Sequence, residues 1–204
     1  MKRVLVTFCM FALTATLSTT AYALQYTFEP PFVDSHDARD GKHDLDDLEH
    51  GTYYTWGIDW SVPAGEQIQS ATLFIDDIND WTREANDHLY IHIMDGIPAG
   101  TARFYDGERG GDNFAGQGVL LLDYTDPDTK TNDLLITIDP ATFAWYLDHL
   151  DHGFGFDPDC HYFNNGILLT VNTTTAPVPE PASIFLLGSG LLGLATLGRK
   201  KLMR

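Results

Sequence analysis

The chain has 204 residues, with 12 Lys and Arg against 29 Asp and Glu, a formal net charge of −17. Residues 24–172 hold six of these basic and 28 of these acidic side chains, a net charge of −22. A region this acidic repels nucleic acid and anionic lipid, which argues against both as its partners. The charge serves either general solubility or the binding of divalent cations. The excess of Asp over Glu favours the binding of divalent cations over general solubility, because Asp recurs in calcium-binding turns.

The N-terminus has the pattern of a signal peptide over residues 1–23. Lys2 and Arg3 precede an apolar run that ends at Leu17, and Ala21 and Ala23 supply the small residues of a cleavage site. We therefore predict export and cleavage after Ala23.

Export leaves Cys160 as the only cysteine of the mature chain, since Cys9 lies in the signal peptide. A lone thiol cannot form an internal disulfide. Burial is the favoured interpretation, because free cysteine usually packs as a small apolar residue. An intermolecular disulfide and a reactive group remain open.

An acidic loop over residues 34–50 follows the first predicted strand. It resembles an EF-hand loop, but with Gly41 at the sixth position the first and third ligands would be His36 and Ala38. Only Asp40, at the fifth position, fits, so the EF-hand interpretation fails. Both a different calcium site and a solvated acidic loop remain open.

Short runs rich in apolar, aromatic and β-branched residues predict several short strands in this region, most of them by period-two alternation and residues 119–124 by a continuous apolar run. They cover residues 25–28, 52–60, 69–76, 88–94, 119–124, 134–138, 153–156 and 167–171. Residues 140–150 predict the only helix, with Asp139 as N-cap, Pro140 at its first position and an apolar face that includes Leu150. The glycine-rich stretch 96–118 predicts a long irregular loop. The fold expected for residues 24–172 is an all-β, antiparallel β-sandwich, jelly-roll-like, with one short helix.

Aspartates in loops provide candidate calcium ligands. The Asp-Pro-Asp spacing at residues 157–159 can direct two carboxylates the same way. The first and last strands of a sandwich are often neighbours, so we expect the acidic N-terminal loop to meet this segment. The sequence therefore predicts a Ca²⁺ site formed by Asp34, Asp37, Asp40, Asp44, Asp157 and Asp159.

Catalytic motifs are absent from the sequence. There is no Gly-x-Ser-x-Gly, His-Glu-x-x-His or Walker pattern. His88 and His92 are four apart on a predicted strand, which separates them by about 13 Å and excludes the helical zinc pair of a protease. We therefore expect a non-catalytic protein. A secreted glycan-active hydrolase remains the alternative, because 28 acidic residues provide carboxylate pairs by chance.

Aromatic residues at predicted loop and outward-facing positions suggest a binding surface. Flat rings stack on sugar faces, and carboxylates accept hydrogen bonds from hydroxyl groups. The predicted ligand-binding residues are Trp81, Tyr90, Tyr105 and Tyr162. Core packing is favoured instead for Trp56, Trp60 and Trp145.

The C-terminus combines a Thr- and Pro-rich linker, residues 173–180, with an apolar run. The motif at their junction, which includes the end of the linker and the start of the apolar run, is Val178-Pro179-Glu180-Pro181-Ala182-Ser183. The run 182–198 has no charged residue and would span roughly 25 Å as a helix, the low end of a bilayer core. Basic residues at 199–201 would remain in the cytoplasm, which places the upstream chain across the membrane.

This order of motif, short span and basic tail, over residues 178–204, resembles the PEP-CTERM sorting signal. The resemblance implies that an exosortase recognises Pro179-Glu180-Pro181 and processes a single-pass membrane precursor. It implies a product at the cell surface or outside the cell, and an association with exopolysaccharide. An ordinary C-terminal anchor remains the alternative. The function expected is a calcium-stabilised surface or extracellular-matrix component that binds exopolysaccharide.

Overall fold

The computed structural model describes residues 22–31, 42–80, 87–107, 110–126, 130–175 and 188–190. Tyr22–Thr175 forms a compact unit by itself. The sorting motif and the predicted signal peptide up to Ala21 lie outside the described residues. Of the predicted helix 182–198, the structure describes only residues 188–190, which are helical. None of the helices within the described ranges is long and apolar enough to cross a membrane.

The described part of this unit contains ten strands, one 3-10 turn (Asp46–Leu48) and one α-helix, α1 (Pro140–Leu147). The strands are β1 (Ala23–Phe28), β2 (Thr52–Gly57), β3 (Glu66–Asp80), β4 (Leu89–Asp95), β5 (Gly100–Tyr105), β6 (Val119–Tyr124), β7 (Asn132–Ile138), β8 (His152–Pro158), β9 (Tyr162–Phe163) and β10 (Gly166–Thr175).

The strands form two antiparallel sheets. The first has the order β1-β10-β3-β7, with β9 paired to β3, and the second has the order β5-β2-β8-β4-β6. Without β5 and β9, each sheet keeps four strands, and the chain passes repeatedly from one sheet to the other, as in a jelly roll. The prediction of an all-β fold with antiparallel sheets is confirmed.

The core lies between the two sheets and follows the predicted alternation. Ala71, Leu73 and Ile75 of β3 are fully buried, as predicted from their spacing. They belong to one cluster with inward-facing side chains of β4, β8 and β10. Full burial of one such Leu or Ile side chain contributes about 1.5–3 kcal/mol, so the alternating residues dominate the stability of the sandwich.

Helix α1 begins as predicted and ends earlier. Asp139 caps it, accepting a hydrogen bond from the Thr142 backbone nitrogen at 2.8 Å. The helix ends at Leu147, so Leu150 is fully exposed and its predicted place on the apolar face is wrong. Tyr146 is buried instead.

Several strands differ from the prediction: β9 was not predicted, β2 ends earlier, at Gly57, and β3 is longer, Glu66–Asp80. Residues 100–105, predicted as irregular, form β5 and pair with β2. Side chains on β5 are largely exposed, so this edge strand has no apolar alternation to reveal it. Strand β10 extends to Thr175, so Thr173–Thr175, which the sequence assigns to the linker, pair with β3.

Candidate functional site

A loop covers the outer face of the second sheet. Residues 110–118 precede β6, and the Phe114 ring lies over Gly155 of β8. A Cβ at Gly155 would lie 2.7 Å from that ring, so only glycine allows so close an approach. His92 of β4 anchors the loop, with Nδ1 3.1 Å from the Gln117 carbonyl oxygen. The loop therefore encloses the side chains beneath it.

Asp157 is the acidic residue that this loop encloses. It follows the core residue Phe156 on β8, so its side chain faces the loop, and it is fully buried. Its carboxylate accepts hydrogen bonds from the Asn113 backbone nitrogen at 2.6 Å and from the Asn113 side-chain amide at 3.3 Å. Burial raises the pKa of Asp157 to about 6, the bonds from Asn113 oppose this, and Asp106 and Asp159 add to the rise.

Asp159 lies two residues further and is also perturbed. Its Oδ1 is buried and has no hydrogen-bond partner among the described residues. Burial raises the pKa of its carboxyl, while the backbone of Gly111 and the nearby His88 lower it. Asp157, Asp159 and Asp106 therefore form an acidic group whose members repel one another when ionised.

The acidic N-terminal segment is held by its own contacts. Asp44 is buried, its Oδ1 accepts a hydrogen bond from the Asp46 backbone nitrogen at 3.0 Å, and its carbonyl accepts one from Asn164 at 3.0 Å. Leu45 to Leu48 follow with φ between 46° and 61°, a left-handed conformation that costs energy in these residues. Such backbone strain persists only where the surrounding structure holds the segment in place, and here Leu45 and Leu48 are both buried.

The two acidic segments meet, as the sequence predicts. His50 Nδ1 lies 2.8 Å from the Asp159 carbonyl oxygen, and His161 Nε2 lies 2.8 Å from a Glu49 carboxylate oxygen. The rings of His50 and His161 stack at 5.2 Å. These contacts use histidine rings, one carboxylate and the backbone, so an ion shared by the two segments stays a prediction. Asp34, Asp37 and Asp40 lie outside the described residues.

Among the described residues, two other groups of side chains could hold a metal ion. In each, three ligand atoms lie within 4.8 Å of one another. The buried group is Asp80, Asp87 and Cys160, and the more exposed group is Asp76, Asp77 and Asp133. Neither contains Asp44, Asp157 or Asp159. Sequence reasoning missed the buried group because its members are up to 80 positions apart, although it predicted a buried Cys160, which is 1% exposed.

The four rings predicted to bind a ligand lie in different environments. Tyr105, at the end of β5, is 74% exposed. Tyr90 of β4 is half-buried and stacks on His88 at 5.3 Å. Tyr162 is fully buried, so the prediction that its ring binds a ligand at the surface is wrong; β9 pairs with β3, and the ring belongs to the core cluster. Trp81 lies outside the described residues.

Phe104 is one of the rings that the sequence suggests for a binding surface, but its contacts and the exposure of Trp145 were missed. Phe104, 42% exposed, stacks on Tyr53 at 5.0 Å, and Tyr53 meets the Phe114 ring edge-on at 5.4 Å. These three rings form a row across the outer face of the second sheet. Trp145, assigned to the core, is 53% exposed and lies 4.2 Å from His149. Cross-strand pairing and helix orientation decide both features, and neither is visible in residue spacing.

Comparison with known protein families matches residues 177–201 to the PEP-CTERM protein-sorting motif. The chain carries a PEP-CTERM sorting motif. The motif implies processing by an exosortase, export and sorting to the cell surface. None of the curated proteins compared with the chain matches it. The match lies outside Tyr22–Thr175, so the role of that unit has to be argued from its own residues.

Proposed function

We propose that the folded domain of this PEP-CTERM protein is a non-catalytic, calcium-stabilised module that binds exopolysaccharide at the cell surface or in the extracellular matrix. The observation that carries the binding role is the exposed ring of Phe104, which is stacked on Tyr53 and backed by the buried Phe114, with Tyr105 exposed at the same edge strand. Exopolysaccharide is the ligand that the sorting signal suggests.

The row suits a sugar ligand for two reasons. Phe104 already stacks on Tyr53, so it loses little side-chain freedom when a sugar packs against it. Strand β5 is the edge of its sheet, so Phe104 and Tyr105 lie where an extended chain can approach.

Calcium is supported by the group Asp106, Asp157 and Asp159. The charges of Asp106 and Asp159 both raise the pKa of the Asp157 carboxyl, so the ionised group is unfavourable. A divalent cation removes this repulsion, and calcium binds six to eight oxygens from carboxylates and backbone carbonyls. The buried Oδ1 of Asp159, which has no hydrogen-bond partner in the described part of the chain, is a ready ligand atom.

A secreted glycan hydrolase is the second candidate. The observation that favours it is the pKa of Asp157, about 6, which suits a general acid near neutral pH. Full burial of Asp157 and its two hydrogen bonds from Asn113 argue against it, because a substrate would first have to displace the loop.

The test measures retention of the purified full-length chain on exopolysaccharide of its own host. Losing the contact between one ring and a sugar removes roughly 0.5–1.5 kcal/mol of binding free energy, so Phe104→Ala and Tyr105→Ala should each weaken retention about three- to tenfold. The melting temperature should be unchanged in Tyr105→Ala, because that ring is 74% exposed, and slightly lower in Phe104→Ala, which also loses the stacking on Tyr53. Trp145→Ala is the matched control, because it removes an exposed ring outside the row. Equal retention of all variants contradicts the binding role, and release of reducing ends supports the hydrolase.

A further inference from the structure

A buried polar group lies where three parts of the chain converge. Asp80 ends β3, Asp87 precedes β4, and Cys160 lies between β8 and β9. Their side chains are 4%, 7% and 1% exposed, and one ligand atom from each lies within 4.8 Å of the other two. The Cys160 thiol donates to Asp80 Oδ1 at 3.5 Å.

The hydroxyl of Tyr162 is an independent sign of a ligand at this point. Tyr162 is fully buried, and its hydroxyl has no hydrogen-bond partner within the described ranges, although buried tyrosine hydroxyls usually find one. Tyr162 lies directly opposite Asp80 in the pairing of β9 with β3, so both side chains project to the same face.

We propose that Asp80, Asp87 and Cys160 form a zinc site whose fourth position faces the Tyr162 hydroxyl. With Zn–S of about 2.3 Å and Zn–O of about 2.1 Å, a sulfur and an oxygen ligand of one tetrahedral zinc ion lie about 3.6 Å apart. The distance of 3.5 Å between Cys160 Sγ and Asp80 Oδ1 fits this geometry.

The ligand types select zinc over calcium. A thiolate is a soft ligand that suits zinc, whereas calcium takes six to eight oxygens. The zinc site shares no residue with the calcium group Asp106, Asp157 and Asp159, so the two proposals stand or fall separately. Zinc binding requires a deprotonated Cys160, and a divalent ion would offset the charges of the thiolate and the two buried carboxylates.

A zinc ion here would hold together segments that are distant in sequence. It would tie the end of β3 and the start of β4 to the connection before β9, and so contribute to folding.

The first test needs no variant. The purified full-length chain is incubated with Zn²⁺, freed of unbound metal and analysed by elemental mass spectrometry, and a parallel sample is loaded with Co²⁺. We expect about one zinc per chain and a thiolate-to-cobalt charge-transfer absorption. Absence of retained zinc, or bound cobalt without that absorption, overturns the proposal and leaves Cys160 as a thiol hydrogen-bonded to Asp80.

Variants then assign the ligands. Cys160→Ser and Asp87→Asn should each reduce the zinc content from about one to near zero per chain. Tyr162→Phe should retain zinc but weaken it about tenfold, as loss of an outer-shell hydrogen bond does. Asp77→Asn, in the more exposed acidic group, is the matched control and should keep one zinc per chain. Loss of zinc in Asp77→Asn, with retention in Cys160→Ser, would overturn the assignment.

Discussion

The backbone and the side-chain amide of Asn113 both donate hydrogen bonds to the carboxylate of Asp157, at 2.6 Å and 3.3 Å. This contact ties the loop over the second sheet to the end of β8. It also satisfies a carboxylate that is fully buried and lies near two other acidic residues. The position of the loop and the neighbouring acidic residues therefore both affect the pKa of Asp157.

The pH dependence of stability should show the raised pKa of Asp157. An acid whose pKa is higher in the folded state, here about 6 against 3.8, favours folding when protonated. Its contribution is fully present below about pH 4 and is lost as the pH rises through about 6. Because the shift of about two units corresponds to roughly 3 kcal/mol, Asp157→Asn should raise the free energy of unfolding at pH 7.5 by up to that amount.

Urea denaturation between pH 4 and 8, without added calcium, checks this expectation. In Asp157→Asn the new side-chain amide would still accept the hydrogen bond from the Asn113 backbone while carrying no charge, so the decline between pH 4 and 6 should shrink. Asp59→Asn, at an exposed position, is the control and should change stability by less than about 0.5 kcal/mol. An Asp157→Asn variant that is less stable than the unaltered chain at pH 7.5 would contradict the assignment.

Calcium should raise the melting temperature of the chain. An ion that binds only the folded state stabilises it by about 2.7 kcal/mol at a hundred times its Kd. Asp157→Ala or Asp159→Ala should abolish most of the gain, and Asp37→Ala or Asp40→Ala a smaller part. Sodium chloride at equal ionic strength is the control, because screening does not replace coordination. Identical melting curves in the two salts would show that the aspartates are only a solvated surface.

Gly153 should be intolerant of any side chain. A Cβ there would lie 2.2 Å from the Trp56 carbonyl oxygen and 2.7 Å from the Gly57 Cα, both backbone atoms of the adjacent strand β2. Because the clash can be relieved only by moving β2 from β8, Gly153→Ala should lower the free energy of unfolding by at least about 2 kcal/mol. Gly110→Ala, whose Cβ meets no atom of the described residues within 4 Å, is the matched control and should stay within about 0.5 kcal/mol. Equal urea midpoints for both variants would refute this close packing.

Processing at both ends should be visible in the intact mass of the protein from its native host. The two terminal signals predict a mature chain that begins at Leu24 and lacks the residues beyond Pro179-Glu180-Pro181. A strain without its exosortase is the control and should retain the C-terminal segment. Recovery of chains that end at Arg204 in a strain with active exosortase would disprove the processing.

Much of the fold could be predicted because burial repeats along the chain. The alternation of Ala71, Leu73 and Ile75 predicts a half-buried strand, and the structure buries all three. Asp139 and Pro140 likewise mark the start of α1 by local chemistry. Strand β5 was missed because an exposed edge strand is held by backbone hydrogen bonds, which leave no pattern in the side chains.

The sorting motif, the two-sheet class of the fold and the burial of Cys160 follow from the sequence by itself, because each depends on local order or on apolar character. The tertiary structure decided which polar groups meet. It buried Tyr162 opposite Asp80, and it brought Asn113 onto Asp157 across 44 positions. Such contacts depend on strand register and loop closure, which are set by the packing of the whole sandwich and not by neighbours in the chain.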